Sequence, residues 1–259
     1  MSTTAKSPRP LVDQQLIELF ALLRGADSVE LKLTLPEASQ RSAANALGLD
    51  PLDAQIRQVF FFDTPDLALD RAGVVVRGRR TQGRPDDTVV KLRPVDPDKV
   101  ERSLRQSPEF GIEVDAMPGG YVCSGSLKGL LETPQVKEVA MGQRRLRKML
   151  SKAQRALYEE HAPDGIDLDD LAVLGPVNVL KLKRPGKRLG GRKAVAELWL
   201  YPDGTRILEL STKCAPSEAL EVGLQARAAL SEVGIDISGA QQTKTRTALR
   251  FFSKELQAG

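Results

Sequence analysis

The strongest constraint on this chain is a set of five short segments in which charged and apolar residues alternate. The first is Val29-Glu30-Leu31-Lys32-Leu33-Thr34-Leu35. Successive side chains on a strand point to opposite faces. Val29, Leu31, Leu33 and Leu35 therefore share one face, and Glu30, Lys32 and Thr34 share the other. Val74–Arg80 repeats the pattern with Arg77 and Arg79, and Val89–Arg93 with Lys91 and Arg93. Val177–Lys183 does so with Lys181 and Lys183, and Ile207–Lys213 with Glu209, Ser211 and Lys213. A sheet with one solvated face would scatter both signs of charge. Here three strands carry cations alone and two combine a carboxylate with lysine. The pattern predicts a barrel or tunnel with a charged lumen, packed on its outside by helices, whose guest is a polyanion with a metal.

The bulk numbers fit such a domain. The chain has 259 residues, 41% of them hydrophobic, enough for a sizeable core. A net charge of +4 is a mild bias, and only 4% of residues are aromatic. Both argue against a nucleic-acid coat or a base-stacking platform, so no nucleic-acid partner is expected. The two cysteines, Cys123 and Cys214, are too few for a disulfide framework or a zinc cluster. The single histidine, His161, sits in a polar stretch and reads as a surface residue. No run approaches the roughly 18 apolar residues of a membrane span, and Met1–Pro10 lacks the apolar core of a signal peptide. The expectation is a soluble, cytoplasmic protein with no membrane partner.

Along the chain, residues 1–10 read as a flexible tail and 11–259 as a single domain. Helices are expected over Leu11–Arg24, Pro36–Leu47, Glu218–Val233 and Thr243–Leu256, from apolar spacing and from glycine and proline stops. Strands are expected at Val29–Leu35, Ile56–Asp63, Val74–Arg80, Thr88–Arg93, Phe110–Val114, Val177–Arg184, Ala194–Tyr201 and Arg206–Thr212. The order lacks a βαβ rhythm, so a parallel sheet is not expected. Residues 116–176 read as an irregular insertion holding a helix at Leu127–Leu131 and a basic run at Arg144–Arg155. The basic run reads as a solvated helix face, with binding of an outside polyanion as its alternative. Trp199 and Phe60–Phe62 read as core.

Several motifs, taken in order, resemble the CYTH family, the triphosphate tunnel metalloenzymes. Ser28-Val29-Glu30-Leu31-Lys32 is similar to the family's opening Glu-x-Glu-x-Lys strand. Phe61-Phe62-Asp63-Thr64-Pro65-Asp66-Leu67-Ala68-Leu69 matches its aromatic-Phe-Asp-Thr-Pro-Asp-Leu-x-Leu phrase. That phrase runs on to Arg77-Gly78-Arg79, where the family has Arg-x-Arg. Thr88–Leu92 resembles its Thr-x-Lys strand, Ile207–Ser211 its late glutamate strand, and Thr243-Lys244-Thr245-Arg246 its closing basic motif. The resemblance covers about Val29–Phe252. It implies an α+β fold: a closed eight-stranded antiparallel tunnel flanked by helices. It also implies triphosphate-type substrates and a divalent metal.

Phosphate oxygens take arginine bidentately and lysine as a point charge. Lys32, Arg77, Arg79, Lys91, Lys181 and Lys183 are therefore assigned to substrate, with Arg93 as a weaker candidate. Lys244 and Arg246 are placed at one mouth, with a basic helix start as their alternative. Magnesium or manganese prefers hard oxygen ligands. Glu30 and Glu209 are the expected ligands, with Glu113 and Glu197 in reserve, and Glu30, Glu209 and Lys32 form the expected catalytic group. Ser28 and Ser211 stand where many relatives carry glutamate. The leading expectation is a metal-dependent phosphohydrolase on inorganic triphosphate or an organic triphosphate such as thiamine triphosphate or a nucleotide. A non-catalytic polyphosphate-binding module and an adenylyl cyclase are the alternatives. The oligomeric state stays open, with a homodimer among the options.

Overall fold

A computed structural model describes residues 13–185, 192–237 and 241–258. The N-terminal tail and most of the loop at 185–193 lie outside these. Nine strands form one closed sheet: β1 (Ser28–Leu35), β2 (Gln55–Asp63), β3 (Val74–Thr81), β4 (Asp86–Leu92), β5 (Phe110–Met117), β6 (Gly120–Leu131), β7 (Ala172–Pro185), β8 (Lys193–Leu200) and β9 (Arg206–Cys214). The order around the barrel is β1-β5-β6-β4-β3-β2-β7-β8-β9, and β9 closes back on β1. The helices are α1 (Asp13–Gly25), α2 (Glu37–Ala46), α3 (Ala68–Arg71), α4 (Arg102–Arg105), α5 (Gln135–Ala140), α6 (Lys152–His161), α7 (Ala219–Glu232) and α8 (Lys244–Ala258).

The eight expected strands are all present, but the barrel corrects the expectation in two ways. First, it contains a ninth strand. β6 occupies the region read as irregular, and Leu127–Leu131 belongs to it rather than to a helix. Leu127, Leu130 and Leu131 have helical spacing, and Gly120, Gly125 and Gly129 weaken any strand signal. Pairing with β4 on one side and β5 on the other overrides both. Second, the sheet is mixed, because β1 and β5 run parallel, with Ser28 beside Glu113 and Glu30 beside Asp115. The rest of 116–176 holds α5 and α6. The start of α6 is fixed by a capping box between Ser151 and Gln154.

Strand alternation divides the apolar side chains as expected. One face packs against helices. Phe60, Phe62, Val76, Val90 and Leu127 meet Val136 of α5 and Leu157 of α6. Leu33, Leu35 and Leu208 meet Ala43 of α2, while Val29, Ile112 and Val114 meet α1 and Val222 of α7. The opposite face is apolar at one end only. There Val59, Phe61, Val75, Val177 and Trp199 receive Ala248, Leu249 and Phe252 of α8. Trp199 and Phe60–Phe62 are thus core, as expected. The Asp63-Thr64-Pro65 phrase builds the corner beside them. The Asp63 carboxylate accepts from the backbone of Thr64, Leu69 and Asp70 and so fixes the start of α3.

The β6 glycines make room for their neighbours. A Cβ on Gly129 would lie 2.8 Å from Thr88 Oγ1 and 2.9 Å from Gln154 Oε1, whereas one on Gly120 would meet nothing within 4 Å. Gln154 is fully buried and ties α6 to the Leu127 carbonyl and to Thr88. Gly129→Ala is expected to destabilise by about 1–3 kcal/mol, through overpacking and loss of this tie. Gly120→Ala is expected to be close to neutral. Urea denaturation of the two variants checks the contrast.

Candidate active site

The face turned away from α1, α2, α5, α6 and α7 carries a network of neighbouring ion-pair clusters. It has two halves. In the first, Lys32 Nζ lies 3.1 Å from Glu30 and 2.8 Å from Asp115, and Lys91 reaches Asp115 at 3.4 Å. Glu113 pairs with Lys213 and accepts from Ser28 Oγ at 3.2 Å, while Ser211 Oγ donates to Glu30 at 3.0 Å. In the second half, Arg79 Nε donates to Asp87 at 2.7 Å, and Arg77 lies 3.7 Å from the same carboxylate. Lys181 and Arg57 approach Glu197 at 3.0 and 3.6 Å. Lys244, from the first turn of α8, adds a third cation to Glu197 and brings in Glu209. It pairs with Glu197, lies 2.7 Å from Glu209, and stands 5.3 Å from the centre of the Trp199 ring.

Burial sets the protonation of these groups. It would raise the Glu197 carboxyl, but the Lys244 and Lys181 ammoniums hold it well below the usual carboxylate range. Asp115 and Glu30 are also lowered against burial, Asp115 by Lys32 and Lys91 and Glu30 by Lys32 and Lys244. Lys32 is raised despite its burial, because Asp115, Glu30 and Glu209 surround it. Four other cations behave differently. Burial and the neighbouring Arg79 bring Arg77 down to about 10. Arg57 falls for the same reasons, and burial lowers Lys181 and Lys91. For each of these cations burial outweighs the neighbouring carboxylates.

Most of the expected residues meet in this network: Glu30, Lys32, Arg77, Arg79, Lys91, Lys181, Glu113, Glu197, Glu209 and Lys244. Lys183 and Arg246 are exposed. Arg93 pairs with Asp70 and lies near enough to Lys91 to repel it. Arg147 of the basic run pairs with Asp167 and Asp169 instead of presenting free charge. Sequence reasoning missed Asp115, Arg57 and Asp87. Asp115 was legible, since it alternates in phase with Glu113. Arg57 lies just before the aromatic run and was overshadowed by it. Glu209 and Glu197, expected as metal ligands, are both engaged by Lys244. Glu30, Glu113 and Asp115 instead each offer one oxygen within 4.8 Å of the others. Ser124, fully buried and directly across from Glu113, has an Oγ without a partner.

No protein-family model matches the sequence, and no curated protein matches it. Solved structures do match. A proposed adenylyl cyclase from Hippeastrum, HpAC1, described as having a dominant triphosphatase activity, aligns over 86% of this chain and 94% of its own with a TM-score of 0.62 at 18% identity. A proposed adenylate cyclase from Bacillus halodurans, bh2851, aligns over 87% of this chain and 99% of its own with a TM-score of 0.59 at 12% identity. This chain therefore has the tunnel fold that its motif resemblance to the CYTH family implies. Among the described residues, no helix is long and apolar enough to cross a membrane.

Removing the Lys244 charge leaves Glu197 and Glu209 buried against each other. Lys244→Met is expected to cost about 3–5 kcal/mol at neutral pH. The Glu197 carboxyl titrates lower folded than unfolded, so its contribution is present at neutral pH and lost as pH falls below the usual carboxylate range. With its partner gone that depression shrinks, and the acid-unfolding midpoint is expected to move to higher pH. Circular dichroism across an acid titration of both proteins measures the shift.

Proposed function

We propose that the charged face is the lumen of the barrel, and that it binds a triphosphate chain for metal-dependent hydrolysis of its terminal anhydride. One observation carries this reading. Arg57, Arg77, Arg79 and Lys181 meet only two carboxylates, Asp87 and Glu197, and Lys244 draws on Glu197 as well. A buried excess of cations is costly unless an anion completes it. A triphosphate concentrates several negative charges over a few ångströms and suits the vacancy in charge.

The residues present fit a divalent cation in the other half. Glu30, Glu113 and Asp115 supply hard oxygens, and the unpartnered Ser124 Oγ adds a polar neighbour. Magnesium or manganese held there would neutralise phosphate charge and make a bound water more acidic. The protein's own part is positioning. Arg77 and Arg79 would grip phosphate oxygens in fixed fork geometry, Lys181 and Lys91 would add point charges, and Lys32 would bridge the carboxylates to the terminal phosphate. Rate then comes mostly from orientation and electrostatics.

A second reading has its own support. Ser28 and Ser211, at positions where the family resemblance leads one to expect carboxylates, donate hydroxyl hydrogens to Glu113 and Glu30. Fewer carboxylates weaken metal binding while the pull on phosphate persists, which favours a polyphosphate-binding module without turnover. Cyclisation of ATP, suggested by the neighbours' names, would need a purine pocket for which no residue set stands out.

The test is phosphate release from tripolyphosphate, ATP and thiamine triphosphate with magnesium or manganese, with calorimetric binding on the same samples. Turnover is expected, Glu30→Gln should abolish it, and Arg77→Ala should weaken tripolyphosphate binding at least about tenfold. Tight binding without turnover would support the binding module, and pyrophosphate release with cyclic AMP would support the cyclase. Absence of both binding and turnover would overturn the reading of the lumen.

A further inference from the structure

Two helices on the outside of the barrel are apolar on the side away from the sheet as well as toward it. From Leu16 to Leu23 of α1 only Glu18 is polar, the composition of a helix enclosed on more than one side. Leu19, Leu22 and Leu23 pack on the cluster of Val29, Ile112 and Val114, but Leu16, Ile17 and Phe20 are 38, 65 and 61% exposed. On α7, Val222 is buried in the same cluster, while Leu220 and Leu224, one turn apart, are 75 and 62% exposed. Ten large apolar side chains are exposed among the described residues, and these five are half of them. The two helices are neighbours. α1 ends where β1 and β5 begin, since Asp27 donates its N–H to the Ile112 carbonyl, and its Glu18 accepts from Tyr121, opposite Ala116 near the end of β5. α7 starts after Cys214, which lies beside Val29 at the start of β1, then passes Leu31 at Gly223 and reaches the cluster of Leu33 and Leu35 with Leu230. Because β1 and β5 run parallel, α1 and α7 lie antiparallel, side by side.

We infer that this helix pair is the surface through which two copies of the chain associate. A two-fold axis in the plane of the pair stacks it on its own copy, with every helix antiparallel to the one it meets, as in a four-helix bundle. The exposed residues suit such packing, because Ile17 and Phe20 are three apart and Leu220 and Leu224 four apart, the spacings of helix ridges. The five side chains leave on the order of 500 Å² of apolar surface in water, near the upper end for a protein that stays single. Doubled, and at roughly two-thirds apolar, that corresponds to an interface of about 1,500 Å², the size of a stable specific complex. A lipid surface fits less well. Helices that lie on membranes line their polar side with lysine and arginine, whereas here Glu18, Glu221 and Glu232 outnumber Arg24 and Arg227. The contact lies across β1 and β5 from Glu30, Glu113 and Asp115, so the inference stands apart from the function proposed above.

Size-exclusion chromatography with light scattering, over a dilution series of the full chain, tests this. A particle of twice the chain mass is expected, dissociating on dilution. Ile17→Glu/Leu224→Glu should raise its dissociation constant at least about a hundredfold, with the native circular dichroism retained. Leu52→Glu, at a leucine 94% exposed outside this face, should leave it unchanged. A native chain that stays single at every concentration would overturn the inference, and if that single chain floats with phosphatidylcholine vesicles the face belongs to a membrane instead. A dimer that survives the double substitution, or one that Leu52→Glu also breaks, would overturn it too. If the double variant unfolds, amide exchange of the native chain above and below the dissociation midpoint decides. Amides of α1 and α7 should exchange more slowly in the dimer, and equal rates there would overturn the inference.

Discussion

A full positive charge buried between two carboxylates organises much of this molecule. Lys244 reaches Glu197 and Glu209 from the first turn of α8, and no single strand could present such an ammonium from outside the sheet. The charge must be paired where it is, so the start of α8 is held at one point on the β8–β9 pair. Tyr201 reinforces the hold by donating to the Lys244 carbonyl. From there Ala248, Leu249 and Phe252 fall onto the apolar end of the charged face. The helix therefore does two jobs from one docking geometry. It buries the hydrophobic rim, and it neutralises the two late-strand carboxylates. The other carboxylates of the face, Glu30, Glu113 and Asp115, are paired by strand lysines instead, Lys32, Lys91 and Lys213.

Much of the fold was legible because strand alternation is a rigid geometric rule. Eight strands, and the inner residues of β1, β3, β4, β7 and β9, follow from period-two reading alone. The failures have physical causes. β6 is rich in glycine and serine, and its identity as a strand comes from two neighbours that one segment cannot display. Its glycines serve close approach: a Cβ on Gly125 would meet the Phe110 ring at 2.8 Å, as one on Gly129 would meet Gln154. The parallel β1–β5 pair was also hidden, since direction is set by the closure of the whole barrel. Asp115 was missed with it. Its partnership with Lys32 exists only because β5 lies beside β1 in register.

The family phrase around Asp63 shows how a diagnostic motif can be structural. Its aspartate turns the chain into α3, Leu67 adopts a left-handed backbone at φ 62, and Phe61 packs 6.5 Å from Trp199. Neither Asp63 nor Leu67 has an ion pair with the charged face, and Phe61 meets it only through Trp199, whose Nε1 donates to Glu197 at 3.3 Å. The motif identifies the fold because it builds the corner that places β3, and β3 then delivers Arg77 and Arg79.

The serine substitutions now have a structural setting. Ser28 and Ser211 lie on the same face as the carboxylates that remain, and each donates to one of them. A hydroxyl in place of a carboxylate removes one negative charge and supplies a hydrogen-bond donor, so Glu30 and Glu113 keep their orientation at lower local charge. The parallel pairing then sets Asp115 beside Glu30, restoring a third oxygen from a strand that the opening motif does not include. The balance of the face shifts accordingly. Carboxylates are gathered at β1 and β5, and at β2 and β3 three arginines share Asp87 and Glu197. On the function proposed above, a polyanion lying between them would meet the grouped carboxylates at one end and guanidiniums at the other.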